Sequence, residues 1–454
     1  MDYNKNYEYL HDKFHFNHEK KKLSHSRNVN AFLLPFTNST QRPDFANAFS
    51  SIVGEFARLE LSKKWDNDLN LNSIVHEILN SDSLDLDDEN EKYMEKMLNE
   101  YLFNENDEMN ILNPYLFNYV PLSRNKRAVG EREIALFIRD VLAENNENLR
   151  NFFKKSQSKH AVVNLILNSI PELSDENVEK KYSCVLNNIT KLFNEDMNFA
   201  VKNDKFLINN ISNIFAFYYF TYITQFILKH DKYDINEIEK VYYILDWESV
   251  NINRRTIQKG YNRIKFKTNY LVSSVILIDQ LNILLGTEAL MLNDLYYYFD
   301  DLSAAGQKEF LDVLKRWIND YRYVRSYPEV ELNDDFKELV NILFESLNGE
   351  NGINSQTKSV YAINYTDFGR RFFLKSRGVH GFVLNITREM LFSITALCIK
   401  DEKIKLNDMF KEYEKRGIYF DRYSKMEVVD YLSKLNLIDK KSDSGDAQYV
   451  KSIL

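Results

Sequence analysis

Arg254, Arg255, Lys259, Arg263, Lys265 and Lys267 fall within fourteen residues that contain no acid. Tyr261 and Phe266 interleave with them. Cations at that density can follow a phosphate backbone, and rings set among them can stack on exposed bases. The same run would also serve as a solvated face, or as a partner for an acidic stretch elsewhere. A second cluster, Arg370, Arg371, Lys375 and Arg377, stands beside Phe372, Phe373 and His380. Lys425, Lys434, Lys440 and Lys441 add positive charge near the C-terminus. Together these residues are the expected contacts to double-stranded DNA.

Motifs for bond-breaking chemistry are absent or incomplete. No G-x-x-x-x-G-K-[ST] loop occurs, so no Walker-type ATPase site is expected. Asp367-Phe368-Gly369 matches the kinase metal-binding triplet, but neither a His-Arg-Asp loop nor a Gly-rich loop accompanies it. His230-x-Lys232 followed by Glu237 approaches the H-x-K-x-x-x-x-D pattern of phospholipase-D-type nucleases, with Glu in the last place and no second copy. Asp335-Phe336-Lys337 resembles the tail of a metal-dependent nuclease motif, at a helix start where acids are expected anyway. His11, His15, His18 and His25 cluster early. His11 and His15 could share a helix face and a zinc ion, yet no cysteine stands near them. The reading is therefore a non-enzymatic chain with no metal and no cofactor. A cryptic metal-dependent nuclease using His230 and Lys232 is the alternative.

The elements that would position these residues are mainly helical. Only 12 glycines and 6 prolines interrupt 454 residues, which favours long helices over a many-stranded sheet. Residues 1–30 read as a polar lead-in, and Ala31 to Phe36 as an edge strand or extended anchor. Phe45, Phe49, Ile52, Val53, Phe56 and Leu59 recur at helical spacing. Further helices are expected over Leu86 to Phe103, from Gly130 through Val141, over Ala161 to Ser169, Val178 to Phe193, Phe206 to Leu228, Ile235 to Leu245 and Tyr270 to Leu285. Ser303 is expected to cap a helix to about Tyr323, and Asn333 to cap one that stops at Asn348-Gly349. Gly349 to Ser359 reads as a linker.

The C-terminal stretch has its own pattern. Thr387 can cap a helix carrying Met390, Leu391, Ile394, Leu397 and Cys398. Ile404 to Leu406 is a minimal strand, and Asn407 can cap a second helix. Ser424 to Glu427 forms a capping box for a third. Strands over Leu437 to Lys441 and Ala447 to Ile453 would follow, joined by a turn at Ser442 to Asp446. Helix, strand, helix, helix and a strand pair is the order of a winged helix, which reads DNA in many proteins. The expected recognition helix is not basic, so protein docking and DNA contact both remain open. The expected fold is a large multi-helix body followed by a C-terminal winged-helix (α+β) module. Its parts would be an N-terminal helical region (1–120), a helical core (121–348), a linker and bridging segment (349–385) and the winged helix (386–454).

Net charge is −8, so any DNA contact must come from a local patch. Acid is concentrated between Asp82 and Glu108, as in a solvated loop and charged helix. Two cysteines, Cys184 and Cys398, read as small core residues of a reducing compartment. The first thirty residues lack the apolar core of a secretory signal. Phe206 to Leu228 carries no charge, but its Asn, Gln, Ser, Thr and Tyr content suits a buried helix better than a membrane span. A cytoplasmic protein without membrane contact is expected.

One resemblance joins these readings. The run Glu414-Lys415-Arg416-Gly417-Ile418-Tyr419-Phe420-Asp421-Arg422, then Leu435 to Ile438 and Lys440 to Val450, resembles the tail of the DptG family. Leu33-Leu34-Pro35-Phe36 followed by Gly54-Glu55-Phe56-Ala57-Arg58-Leu59 is similar to that family's start. DptG is the G component of bacterial restriction systems that act on DNA lacking phosphorothioate modification. The resemblance implies a role beside DptF-like and DptH-like components, with motor activity in a partner. It brings no catalytic residues to carry over.

Overall fold

A computed structural model describes residues 2–24, 33–35, 39–45, 49–65, 75–76, 78–80, 87–105, 109–231, 237–250, 254–440 and 448–454; the side chains of Asp88 and Lys440 lie outside it. The chain is mainly helical. In order, the first helices are α1 (Tyr3–Lys13), α2 (Ser50–Glu60), α3 (Asp88–Leu102), α4 (Ala128–Phe137), α5 (Glu147–Phe152), α6 (Ala161–Ser169) and α7 (Asn187–Ala200). A short ladder pairs β1 (Lys63–Lys64) with β2 (Ser174–Asp175).

Two long helices form the centre. Helix α8 (Asp204–Lys229) starts where Asn203 accepts a hydrogen bond from the Phe206 amide. It is apolar on all sides, which is the pattern of a helix buried all round. Helix α9 (Arg255–Leu285) divides into a polar, cationic first half and an apolar second half. Gly286 ends it with a left-handed φ of 65°, a conformation glycine adopts without strain. By length and composition both helices could cross a membrane, but 83% of each apolar window is buried inside the protein.

Around them pack α10 (Leu292–Asp300), α11 (Ala304–Val324), α12 (Phe336–Asn348) and α13 (Ser355–Phe372). Ser303 caps α11 and Gly349 closes α12, as expected. Asp335 rather than Asn333 caps α12, and Asn333 accepts a hydrogen bond from the Asp335 amide.

A small sheet then ties distant parts together. Its order is β4 (Leu374–Ser376), β5 (Phe382–Ile386), β3 (Tyr242–Leu245) and β7 (Tyr419–Phe420). Strand β3 runs parallel to both neighbours, with Ile244 beside Asn385 and Tyr242 beside Tyr419. The C-terminal elements are α14 (Arg388–Ile399), β6 (Ile404–Lys405), α15 (Leu406–Lys415), α16 (Arg422–Lys434), β8 (Ile438–Lys440) and β9 (Gln448–Val450). Strands β6, β9 and β8 form a second, antiparallel sheet.

One large core runs from Tyr3 to Val450. A smaller one gathers Ile78, Leu98, Leu116, Tyr119, Ile166 and their neighbours. The segments of the family resemblance sit at close approaches. A Cβ on Gly54 would lie 2.6 Å from the Val120 carbonyl oxygen, so only glycine lets that turn pack on α2. Arg58 is fully buried between Glu55 and the carbonyls of Asn118 and Val120.

Several expectations fail for identifiable reasons. Residues 3–13 are not a loose lead-in: Tyr3, Tyr7 and Leu10 bury one face of α1 against α9 and α11. Ile235 to Leu245 is not a helix over its described part, because Tyr242–Leu245 is strand β3. A short apolar run buried in a parallel sheet looks like a buried helix in sequence. The helix expected from Val178 starts at Asn187 instead. Of Ala31 to Phe36, residues 33–35 are described and form no strand. The segment expected as a linker and bridge contains α13, which packs along α9. Helix α16 is capped by Asp421, not by Ser424, and α15 begins after Lys405 without a side-chain cap from Asn407. Thr387 caps α14 as expected. Cys398 is buried, whereas Cys184 is half-buried and outside a helix.

Candidate nucleic-acid interface

The first cluster separates into two kinds of cation. Arg254 is buried, at 4% exposure. Its Nε and one Nη donate to the two Asp421 oxygens at 2.8 Å each. The other Nη donates to Glu248 at 2.5 Å, and the Nη that meets Asp421 also donates to Ser424 Oγ at 2.7 Å. Its donors are committed inside the protein, so Arg254 is a brace between α9 and α16 and is withdrawn as a DNA contact. Arg255, Lys259 and Arg263 are exposed. Four-residue spacing stacks them on one face of α9, and Phe266, 59% exposed, continues that face. Arg263 also reaches Glu239 at 2.5 Å. Lys265 is exposed on another flank, and Lys267 is half-buried against Asp231. Tyr261 is buried and hydrogen-bonded to Thr366 at 2.8 Å, so it cannot stack on a base.

A cleft of about 500 Å³ lies beside this row. Lys240 to Tyr242 and the end of α8 form one side; Arg255, Lys259 and Arg263 form the other. Lys240 is an exposed cation that the sequence reading missed. Assigned to a helix over 235–245, it had no reason to face α9; strand β3 brings it there. The positive end of the α9 dipole adds to the same field.

The second cluster lies next to the first. Arg370 and Arg371 are exposed at the end of α13. The Arg370 guanidinium sits 4.7 Å from the Phe382 ring centre, and Phe382 meets Tyr261 of α9 edge-on at 6.0 Å. Lys375 donates to the Asp246 carbonyl at 2.7 Å. Arg377 leans on the Leu245 and Asp246 carbonyls at 3.4 and 3.3 Å, and burial lowers its pKa. These two cations hold the end of β3, while Arg370 and Arg371 extend the outer charge.

At the C-terminus, Lys425 is half-buried, 3.4 Å from Glu414 and over the Phe410 ring. Lys434 is exposed and paired with Asp430 at 2.5 Å. Lys441 and the Lys440 side chain lie outside the described residues. Helix α16 turns its inner face to the body. Trp247 Nε1 donates to Glu427 at 3.0 Å, and the Trp247 and Tyr431 rings are 5.3 Å apart. Arg422, Tyr423, Met426 and Asp430 remain outside.

Among the described residues no catalytic constellation assembles from the motifs. Asp367 pairs with Arg42 at 2.7 Å, and Phe368 is core. His230 is buried, and Lys232 lies outside the described residues. His11 packs among Tyr7, Phe16 and Trp317, and its Nε2 faces Asp320 at 3.4 Å. Among the described residues no group of three or more His, Cys, Asp or Glu could hold a metal ion. No protein-family model matches the chain, and no curated protein does either.

Proposed function

We propose that this chain is a non-catalytic, DNA-facing subunit of a cytoplasmic bacterial restriction complex, of the DptG kind that its sequence resembles. In that role it acts beside DptF-like and DptH-like subunits on DNA lacking phosphorothioate modification, and a partner supplies the motor. The observation that carries the DNA-facing part is the outer row Lys240, Arg255, Lys259 and Arg263, with Arg370 and Arg371 beside it, on a protein of net charge −8. Such a row fits a phosphate backbone.

The order α14, β6, α15, α16, β8, β9 and the antiparallel sheet β6-β9-β8 support reading residues 386–454 as a winged helix. A specific observation favours a bracing role for its third helix over DNA reading. Asp421, Ser424, Glu427 and Tyr431 are already engaged by Arg254 and Trp247.

The test is duplex binding followed across a salt series. Wild-type affinity should fall steeply with salt. Changing Arg255, Lys259 and Arg263 together to Ala should weaken binding and lower the log–log slope by roughly 2 to 3, about 0.9 per lost phosphate contact. An unchanged slope would remove this surface from the interface. Recovery of an ATPase and a further subunit with the tagged chain, after nuclease treatment, tests the assembly part.

A further inference from the structure

A second cavity, of about 420 Å³, opens on α9 just past the cationic row. That volume falls within the range of ~300–1,000 Å³ usual for small-molecule sites. Its walls include Phe266, Tyr270, Tyr296 and Phe344, with the Phe266 and Tyr270 rings edge to face at 5.3 Å. Leu277, Ile278 and Val340 close its floor. Flat aromatic walls over an aliphatic floor favour a planar, polarisable ligand.

The polar groups define the ligand's edge. His230 lines the cavity at 1% exposure; its ring leans on the Lys267 backbone, and neither nitrogen has a geometrically well-formed hydrogen bond. Burial pushes its pKa down to about 4, against the pull of Asp231 and the Lys267 backbone, so at neutral pH the ring is uncharged and keeps an acceptor nitrogen. A buried polar group left in this state is destabilising until something pairs with it. Asn293 and Asn341 also line the cavity and carry both kinds of hydrogen-bonding group. The cation at the site, Lys267, is paired with Asp231. The interior therefore suits a neutral ring with donors and acceptors, and it does not suit a phosphate. Phosphates have their place one turn away, where Arg263 precedes Phe266 and Lys267 on the same helix.

We propose that this cavity binds a nucleobase, stacked among Phe266, Tyr270 and Phe344 and read by His230, with the attached phosphates lying on the Arg263 side of α9. The placement of the phosphates rests on the DNA-facing reading of that helix. The base could arrive on a free mononucleotide or as a base extruded from DNA, and two probes separate these sources.

Saturation-transfer NMR with dAMP reports the free nucleotide. A duplex carrying 2-aminopurine opposite an abasic site reports the extruded base. Both are run on the full chain, on Phe266→Ala and on Asn341→Phe, which fills the cavity from an exposed helix position. Saturation of the adenine protons, or a 2-aminopurine emission change, is expected for the full chain. Phe266→Ala should weaken the responding probe about tenfold, the scale of one lost base–aromatic stack. Asn341→Phe should abolish the response. No response from either probe, with salt-dependent duplex binding intact, would overturn the pocket and leave the α9 surface standing. A response that survives both substitutions would also overturn it. Absence of duplex binding with a dAMP response would overturn the DNA-facing reading and keep the pocket, and absence of both would sink both readings.

Discussion

At the residue scale, buried charge decides most of what can be tested. Arg416 is 1% exposed and donates to both Asp196 oxygens, at 2.6 and 2.8 Å. Tyr218 also donates to Asp196, and Glu412 accepts from Arg416 at 2.9 Å. Asp196→Asn would leave that guanidinium desolvated with half its countercharge. Removing one partner of a buried pair costs about 3 to 5 kcal/mol, so a loss of that order is expected in urea unfolding. A change below about 1 kcal/mol would mean that water reaches the pair. His230 gives a pH prediction. Its folded pKa of about 4 lies below the ordinary 6.5, because burial outweighs the Asp231 carboxylate. Between those values the unfolded chain holds a proton that the folded chain refuses. Stability from this group is therefore complete above pH 6.5 and falls as pH drops toward 4, by about 3 kcal/mol at most. Glu60 opposes it. Burial raises its carboxyl to about 7, so its contribution is present below about 4.5 and is lost as pH rises through 7. Wild type minus His230→Gln isolates the histidine. The variant should gain on wild type as pH falls from 6.5 to 4, and a flat difference would contradict a neutral buried imidazole.

At the element scale, α16 depends on one residue with two tasks. Asp421 caps the helix by accepting from the Ser424 amide at 2.9 Å, and it also receives Arg254. Asp421→Asn keeps a capping oxygen and loses the charge; Asp421→Ala loses both. The cap alone is worth about 0.5 to 2 kcal/mol, so Ala should cost more than Asn by roughly that amount. Hydrogen exchange should show faster opening of 422–434 in both, and equal costs would mean that Asp421 does not cap. This residue also shows where the sequence stops being legible. The helices with clean apolar spacing and a local cap, such as those begun by Ser303 and Thr387, can be read directly. Strand β3 cannot, since the partners that make Tyr242–Leu245 a strand are Phe382–Ile386 and Tyr419–Phe420, far along the chain. Helix α1 hides its face in two tyrosines and a leucine among polar residues. The site divides in the same way. A run of cations is visible in sequence, but Arg254 is spent on Asp421, and no local pattern announces a partner that distant. The proposed nucleobase cavity is invisible for that reason too, since its walls come from three helices and the turn that follows α8.

At the scale of the whole molecule, the C-terminal elements are built into the body. Strand β7 completes the sheet on β3, Gly417 turns into it with φ of 81° against Thr221 of α8, and two buried arginines cross the junction. Deleting 386–454 would strip β3 of β7 and shorten β5 by its last residue, remove both cations from Asp196 and leave Arg254 with Glu248 alone. Uncovered edges and unpaired buried charges are each destabilising. The deletion should therefore yield an aggregating body, and it should not yield a folded 1–385 fragment. The satellite core around Ile78, Leu98 and Ile166 is smaller than the central one. Hydrogen exchange should find it opening at lower free energy than the central helices α8 and α9, as sub-global units do. A stable, monomeric 1–385 fragment with native circular dichroism would show that the shared sheet is dispensable. The C-terminal elements would then be free to move against the cationic surface of α9, and their partner would have to be sought elsewhere.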